Sequence, residues 1–242
     1  TRTFDSITKK IPCLFRDDPE ENDAVVQWYR QILRLIALTH DLGHAPFSHA
    51  SETLFPKGRG HEDYTRDIIE QTEIAGYISE IGAGLQKKLG EQYKITPELL
   101  WMIYGENPEK HILDDDYIMP DFMFLRSLMD GEMDCDKMDY LLRDSKFCGV
   151  SYGKYDLDRF ISSLTVYKDP DENIMQLAIE KGGLQSFEEF VLARYFMFIQ
   201  VYFHRTRRYF DHLLGECLKE ILPGGKYPED VGEYLKWDDV EV

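Results

Sequence analysis

The sequence predicts an all-α fold with one minor β-hairpin, and three patterns carry that expectation. Between Asn22 and His40, Val25, Val26, Tyr29, Ile32, Leu33, Ile36 and Ala37 recur at three- and four-residue steps, the period of a helix with one buried face. A longer helical run extends over about 186–222 until Pro223, Gly224 and Gly225 stop it. β character is confined to "LTVYKDPDENIMQLAIE", two β-leaning runs around a polar Asp-Pro-Asp-Glu-Asn turn.

In chain order, the first of these helices should stop at Gly43, with Pro46 beyond it. Shorter helical patterns follow over 48–54, 61–70, 83–89, 97–104, 121–129, 135–146 and 157–164, then the hairpin, then the long helix. The acidic clusters "DDPEEND" (17–23) and "DDD" (114–116) read as solvated loops or first helical turns, where carboxylates suit the helix dipole. No Gly-rich loop joins a strand to a helix, so a Rossmann or Walker-type phosphate site is excluded. With no repeat and no domain boundary, residues 1–242 read as a single domain.

A chain of 242 residues, 43% of them hydrophobic, can bury a sizeable core. Its formal net charge of −17 repels polyanions, which argues against DNA or RNA as a partner and leaves small anions open. Cys13, Cys135, Cys148 and Cys217 are scattered, which suits neither a disulfide framework nor a thiolate zinc site, and reads as a reduced, cytoplasmic chain. No stretch approaches the roughly 20 apolar residues that span a bilayer, so no membrane association is expected. Thr1 is not an initiator Met, and "YLKWDDVEV" ends without a terminating signal, as in a piece of a longer protein.

Seven histidines serve the whole chain, yet "THDLGHAPFSH" places His40, His44 and His49 in one short stretch. His40 and Asp41 come where an apolar helix runs out, a placement that can aim an imidazole and a carboxylate into a pocket. Mixed nitrogen and oxygen donors suit one divalent ion among Mn, Fe, Mg, Zn and Ni, with positions left for water and substrate. In "DCDKMDYLLRD", Asp136, Tyr140 and Asp144 fall within about 80° on a helix, with Lys137 and Arg143 at the border and Met138, Leu141 and Leu142 turned away. The polar row rises about 12 Å, comparable to a nucleotide from phosphate to sugar. Alone, that face reads equally as a solvated surface with i,i+4 pairing.

Together, "HDLGHAPFSH" and "DCDKMDYLLRDS" resemble the HD-domain superfamily of metal-dependent phosphohydrolases. Within it they are most similar to the deoxynucleoside triphosphate triphosphohydrolase branch, which includes bacterial dGTPase-like enzymes and the vertebrate dNTPase carrying SAM and HD domains. The resemblance implies a helical HD fold from about Tyr29 to Leu222, with metal ligands His40, Asp41 and Asp136. The family's first histidine has no counterpart, since none precedes His40; with the non-Met start, this reads as a chain truncated at both ends whose missing ligand lies upstream.

The resemblance further implies that His44, His49, Glu52 and His61 surround the α-phosphate, where they orient water, move protons and stabilise charge. Glu52 stands where relatives often have Asp. Lys137 is similar to a phosphate contact, Tyr140 to a ring packed on the sugar that crowds a 2′-hydroxyl, and Asp144 to an acceptor for the 3′-hydroxyl. In "VYFHRTRRYF", His204 and Arg208 are the candidates for the triphosphate tail, with Gln200 where some relatives have Arg; the same run reads equally as a solvated basic stripe. Phe196, Met197, Phe198, Phe203 and Phe210 read as core or subunit interface, and His111 and His212 receive no role.

The implied reaction is hydrolysis of a dNTP to a deoxynucleoside and inorganic triphosphate, in a homo-oligomer that a nucleotide effector could regulate. The rivals are another HD phosphohydrolase activity, such as a 5′-nucleotidase or a guanosine or cyclic nucleotide hydrolase, and a non-catalytic nucleotide sensor.

Overall fold

The computed structural model describes residues 1–105, 119–169, 174–240 and 242. Its architecture is all-α with one two-stranded sheet. The centre is α2 (Pro19–Thr39), which starts where Asp18 accepts a hydrogen bond from the Glu21 amide at 2.9 Å and Pro19 presets the first turn. Val25, Tyr29, Ile32, Leu33 and Ile36 are buried along one face, as their spacing predicts. Each such side chain contributes about 1.5–3 kcal/mol of transfer free energy.

Around α2 pack α1 (Arg2–Lys10), α5 (Pro97–Tyr104), α6 (Met119–Ser127), α7 (Cys135–Phe147), α8 (Leu157–Ser163) and α9 (Leu184–Met197). Phe4, Ile7, Phe124, Leu125, Leu141, Phe160, Phe190 and Met197 close one continuous core with it. Strands β1 (Leu164–Asp169) and β2 (Ile174–Ile179) pair antiparallel, Leu164 opposite Ile179 and Asp169 opposite Ile174. The predicted hairpin is therefore present, while 170–173 of its turn, like the 114–116 cluster and His111, lie outside the described residues.

A second, smaller core joins α3 (His61–Gln71) to α10 (Arg205–Ile221) and to the C-terminal stretch around α11 (Val231–Tyr234). It is mostly aromatic: Phe55, Tyr64, Tyr227 and Tyr234 cluster with Ala45, Leu54, Leu218 and Leu222. Tyr64 and Tyr234 stack with centroids 3.9 Å apart.

Several expectations are corrected. The helix does not stop at Gly43: it ends at Thr39, with His40 as its cap. Gly43 serves packing, because a Cβ there would collide with the His61 carbonyl and the Thr65 amide. Residues 48–54 form a 3₁₀ helix, Ser48–Leu54. The helix expected from 83 begins ten residues earlier as α4 (Glu73–Leu89), capped by the Thr72 hydroxyl. The continuous helix over 186–222 is broken: α9 ends at Met197, a π turn spans Phe198–Tyr202, and α10 restarts at Arg205. His204 is extended there (φ −60°, ψ 131°).

Met197 is core, whereas Phe196, Phe203 and Phe210 are exposed. The four cysteines are free. Among the described residues, no helix is long and apolar enough to cross a membrane.

Candidate functional site

The C-terminal end of α2 and the first turn of α7 converge. His40 Nε2 lies 3.4 Å from Asp41 Oδ2 and 3.7 Å from Asp136 Oδ1, separations of an ion-pair cluster rather than of hydrogen bonds. The imidazole is oriented from behind: its Nδ1 sits 3.2 Å from the Ala37 carbonyl, which can only accept, so Nδ1 carries the proton and Nε2 the lone pair. That Nε2 is buried and has no hydrogen-bond partner. Tyr104 closes the rear, its ring edge-on to His40 at 5.8 Å.

A fixed tautomer with a bare, buried nitrogen facing two carboxylates is the donor arrangement of a divalent metal site, so the residues fit such an ion. The electrostatics agree. His40, Lys137 and Arg143 outweigh burial and hold the Asp136 carboxyl below its usual range, His40 foremost. Burial opposes charge on His40, but Asp136 and Asp41 outweigh it and raise its pKa.

Next to this group, the loop after α2, the 3₁₀ helix and the start of α3 assemble a second one. Glu52 Oε1 is 2.8 Å from His49 Nδ1, 3.0 Å from His61 Nδ1 and 4.0 Å from His44 Nδ1. His44 and His61 stack at 4.1 Å, nearly parallel, with His49 edge-on to His44. Burial, followed by the neighbouring His61, lowers the His44 pKa against the pull of Asp41.

The backbone that places these groups is held under strain. Phe47 and Ser48 both occupy the left-handed region, at φ 61° and 53°, which non-glycine residues seldom adopt. The C-terminal stretch pins it: Asp239 Oδ1 accepts from the Phe47 amide at 2.9 Å, and the Tyr234 hydroxyl donates to the Gly43 carbonyl at 2.7 Å.

A cleft of about 1000 Å³ leads from Asp41, His44, Glu52 and Asp136 past Tyr140 and Asp144 to Arg207 and Arg208. That is the size of a small-molecule site. The predicted face of α7 does line it, with Met138 and Leu141 buried behind. Two expected contacts sit elsewhere. Lys137 is turned to its own helix start, its Nζ donating to buried Asp134 at 2.6 Å, and is absent from the cleft wall. His204 caps α10, with Nδ1 accepting from the Thr206 amide at 3.3 Å, and does not line the cleft either.

Among the cleft residues that escaped the sequence reading is Tyr202. Tyr202 donates its hydroxyl to Asp144 Oδ2 at 2.7 Å, and its ring meets Tyr140 with centroids 6.0 Å apart. It lies in the π turn, so the break in the expected helix is what delivers it, and helical periodicity carries no signal of that break.

Comparisons with known proteins bear on the fold that carries these groups. The family model described as HD domain matches residues 22–113, and that described as HD associated region matches 155–242. YwfO, an uncharacterised protein of Bacillus subtilis, is 30% identical over 216 residues, covering 89% of this chain and 42% of YwfO. A Dictyostelium discoideum protein named as a deoxynucleoside triphosphate triphosphohydrolase SAMHD1 homolog is 24% identical over 232 residues, covering 87% of this chain and 38% of that one. The crystal structure of a hypothetical protein from Aquifex aeolicus superposes with a TM-score of 0.61 at 31% identity, covering 99% of this chain and 63% of that one. This chain thus spans less than half the length of either curated relative.

Proposed function

From the premise that this chain is an HD-domain protein of the phosphohydrolase type, with an HD-associated region behind it, we propose that it hydrolyses a deoxynucleoside triphosphate to deoxynucleoside and inorganic triphosphate. The observation that carries the proposal is one cleft joining Asp41 and Asp136, the carboxylates beside His40, to the Tyr140–Asp144–Tyr202 recess and to Arg208.

His40, Asp41 and Asp136 would hold a divalent ion, which supplies activation of water and withdrawal of charge from a phosphoryl oxygen. The remaining work belongs to the side chains. Water adds to the α-phosphorus and the bond from phosphorus to the 5′-oxygen breaks, so one proton leaves the water and one arrives at the 5′-oxygen. His49, exposed and held by Glu52, is placed to deliver that proton, with Glu52 orienting the ring. Tyr202 fixes Asp144 and packs beside Tyr140; Asp144 would accept from the 3′-hydroxyl, and the Tyr140 ring would crowd a 2′-hydroxyl. Arg208, on the cleft wall, offers charge to the phosphate tail. Exposed Leu192, Phe196, Ile199 and Phe210 are the apolar surface that a second copy would cover in a homo-oligomer.

Digestion of dATP, dGTP, ATP and GTP with Mn²⁺, followed by anion-exchange separation, tests the reading. Triphosphate is the expected product, and the ribonucleotides should react about ten- to a hundredfold more slowly, the effect of about 1–3 kcal/mol for a crowded, unpaired hydroxyl. Tyr140→Ala should narrow that gap. Release of orthophosphate alone would favour a phosphatase, and binding without turnover a sensor.

A further inference from the structure

The break between α9 and α10 takes a backbone carbonyl away from its helical partner. Phe198–Tyr202 form a π turn, in which the Phe203 amide donates back to the Phe198 carbonyl at 2.8 Å. Extended His204 then ends the ladder, and its Nδ1 takes the Thr206 amide at 3.3 Å. In a continuous helix that amide would donate to the Tyr202 carbonyl, which here belongs to the orphan acceptors of a helix end. Arg207 takes the amide's place: its Nη1 donates to the Tyr202 carbonyl at 2.9 Å. The guanidinium is itself anchored one turn along α10, with Nε 3.5 Å from Asp211 Oδ2.

This clamp holds the backbone of the residue that organises the sugar end of the cleft. The Tyr202 hydroxyl donates to Asp144 Oδ2 at 2.7 Å, and its ring meets those of Phe198 and Tyr140 edge-on, with centroids 5.1 and 6.0 Å apart. Burial, then Asp144, raises the Tyr202 pKa, so the phenol keeps the proton that it donates. Arg207 and Arg208 both line the cleft, but Arg208 lies over the Phe203 ring, 5.8 Å from its centroid.

We infer, taking the sugar contacts as proposed above, that Arg207 is a positioning residue for sugar recognition: it clamps the Tyr202 carbonyl across the break between α9 and α10 and so sets Tyr202 against Asp144 and Tyr140. Its guanidinium is divided between that carbonyl and Asp211, which separates its task from that of Arg208 on the phosphate tail. A displaced Tyr202 frees Asp144 to turn, and the 3′-hydroxyl then loses a fixed acceptor.

The test is the ratio of kcat/KM for dATP to that for 2′,3′-dideoxy-ATP, measured with Mn²⁺ in wild type, Arg207→Met, Arg207→Lys, Asp211→Asn and Arg208→Met. Circular dichroism checks the fold of each. Arg207→Met keeps the stem and removes the donors, and Arg207→Lys restores one. Wild type should favour dATP by about tenfold or more, the effect of a hydrogen bond to a charged acceptor. Arg207→Met should erase most of that preference, chiefly by raising KM for dATP, and Arg207→Lys should recover much of it. Asp211→Asn should fall between the two, and it serves if Arg207→Met does not fold. Arg208→Met should slow both nucleotides alike and leave the ratio intact. If Arg207→Met also slows both alike at the wild-type ratio, Arg207 is a second phosphate contact: the positioning role is overturned while the sugar contacts stand. A wild type with no preference for dATP removes the sugar contacts themselves, and the positioning role with them.

Discussion

The two halves of the site rest on different foundations. His40, Asp41 and Asp136 are borne by the ends of α2 and α7, whose buried faces belong to the large core. His44, His49, Glu52 and His61 are borne by a loop, a 3₁₀ helix and a helix start, backed by the small aromatic cluster of Phe55, Tyr64, Tyr227 and Tyr234. Regular helices can place one group with their own hydrogen bonds. A loop cannot, and here its position depends on Tyr234, Asp239 and the Thr65 hydroxyl, which accepts from the Gly43 amide at 2.9 Å. The half that the core builds needs no help from the chain's C-terminal stretch; the other half does.

Breaking the large core should therefore cost the most and discriminate the least. Phe124, fully buried between Phe15 and the rest of that core, is the probe. Phe124→Ala should destabilise the chain by about 3–5 kcal/mol, read as a shift in urea midpoint, with both halves of the site lost together as the fold melts.

A smaller perturbation sharpens the contrast. Tyr234→Phe keeps the ring stack on Tyr64 but strands the Gly43 carbonyl. Expected is a loss of about 1–3 kcal/mol, the cost of an unpaired buried acceptor, together with reduced turnover. Metal content at His40, Asp41 and Asp136 should hold at the wild-type level, as measured by elemental analysis. Loss of that metal as well would show that the two halves are not separately supported.

The same contrast governs what could be read from sequence. The large core announces itself, because Val25, Tyr29, Ile32 and Ile36 repeat with the helical period, and the polar face of α7 could be drawn from spacing alone. That His40 and Asp136 meet across the fold came from resemblance, since no local pattern encodes a contact between helix ends 96 residues apart. The second half left a weaker trace. Gly43 reads as a helix stop until its close approach to His61 is seen, and Phe47 and Ser48 adopt backbone angles that nothing in their identity foretells. Glycines also hid the first part of α4: Gly76 and Gly82 depress helix propensity, and Gly82 is there because a Cβ would strike the Ile95 carbonyl. The break that brings Tyr202 to Asp144 and turns His204 into a cap sits in an aromatic run that stays helical in period throughout.

The smallest expected effect separates strain from support. Ser48 is held at φ 53° with Phe47 before it at φ 61°, and Cys13, in the turn after α1, is held at φ 56°. A left-handed conformation costs an ordinary residue about 1–2 kcal/mol, of which glycine recovers most, less the extra chain entropy it loses on folding. Ser48→Gly and Cys13→Gly should each raise stability by up to about 1 kcal/mol, which for a chain of this length moves Tm by about 2–4 °C. Their effects on catalysis should diverge. Cys13 lies on the support of neither half of the site, and its variant should keep wild-type kcat/KM. Ser48 opens the 3₁₀ helix that carries His49 and Glu52, so a freer backbone there should lower kcat/KM, by less than the roughly hundredfold that an ångström of misplacement costs. Equal kinetics in the two variants would mean that the strained turn does not position the histidines, and that the aromatic cluster alone holds that half of the site in place.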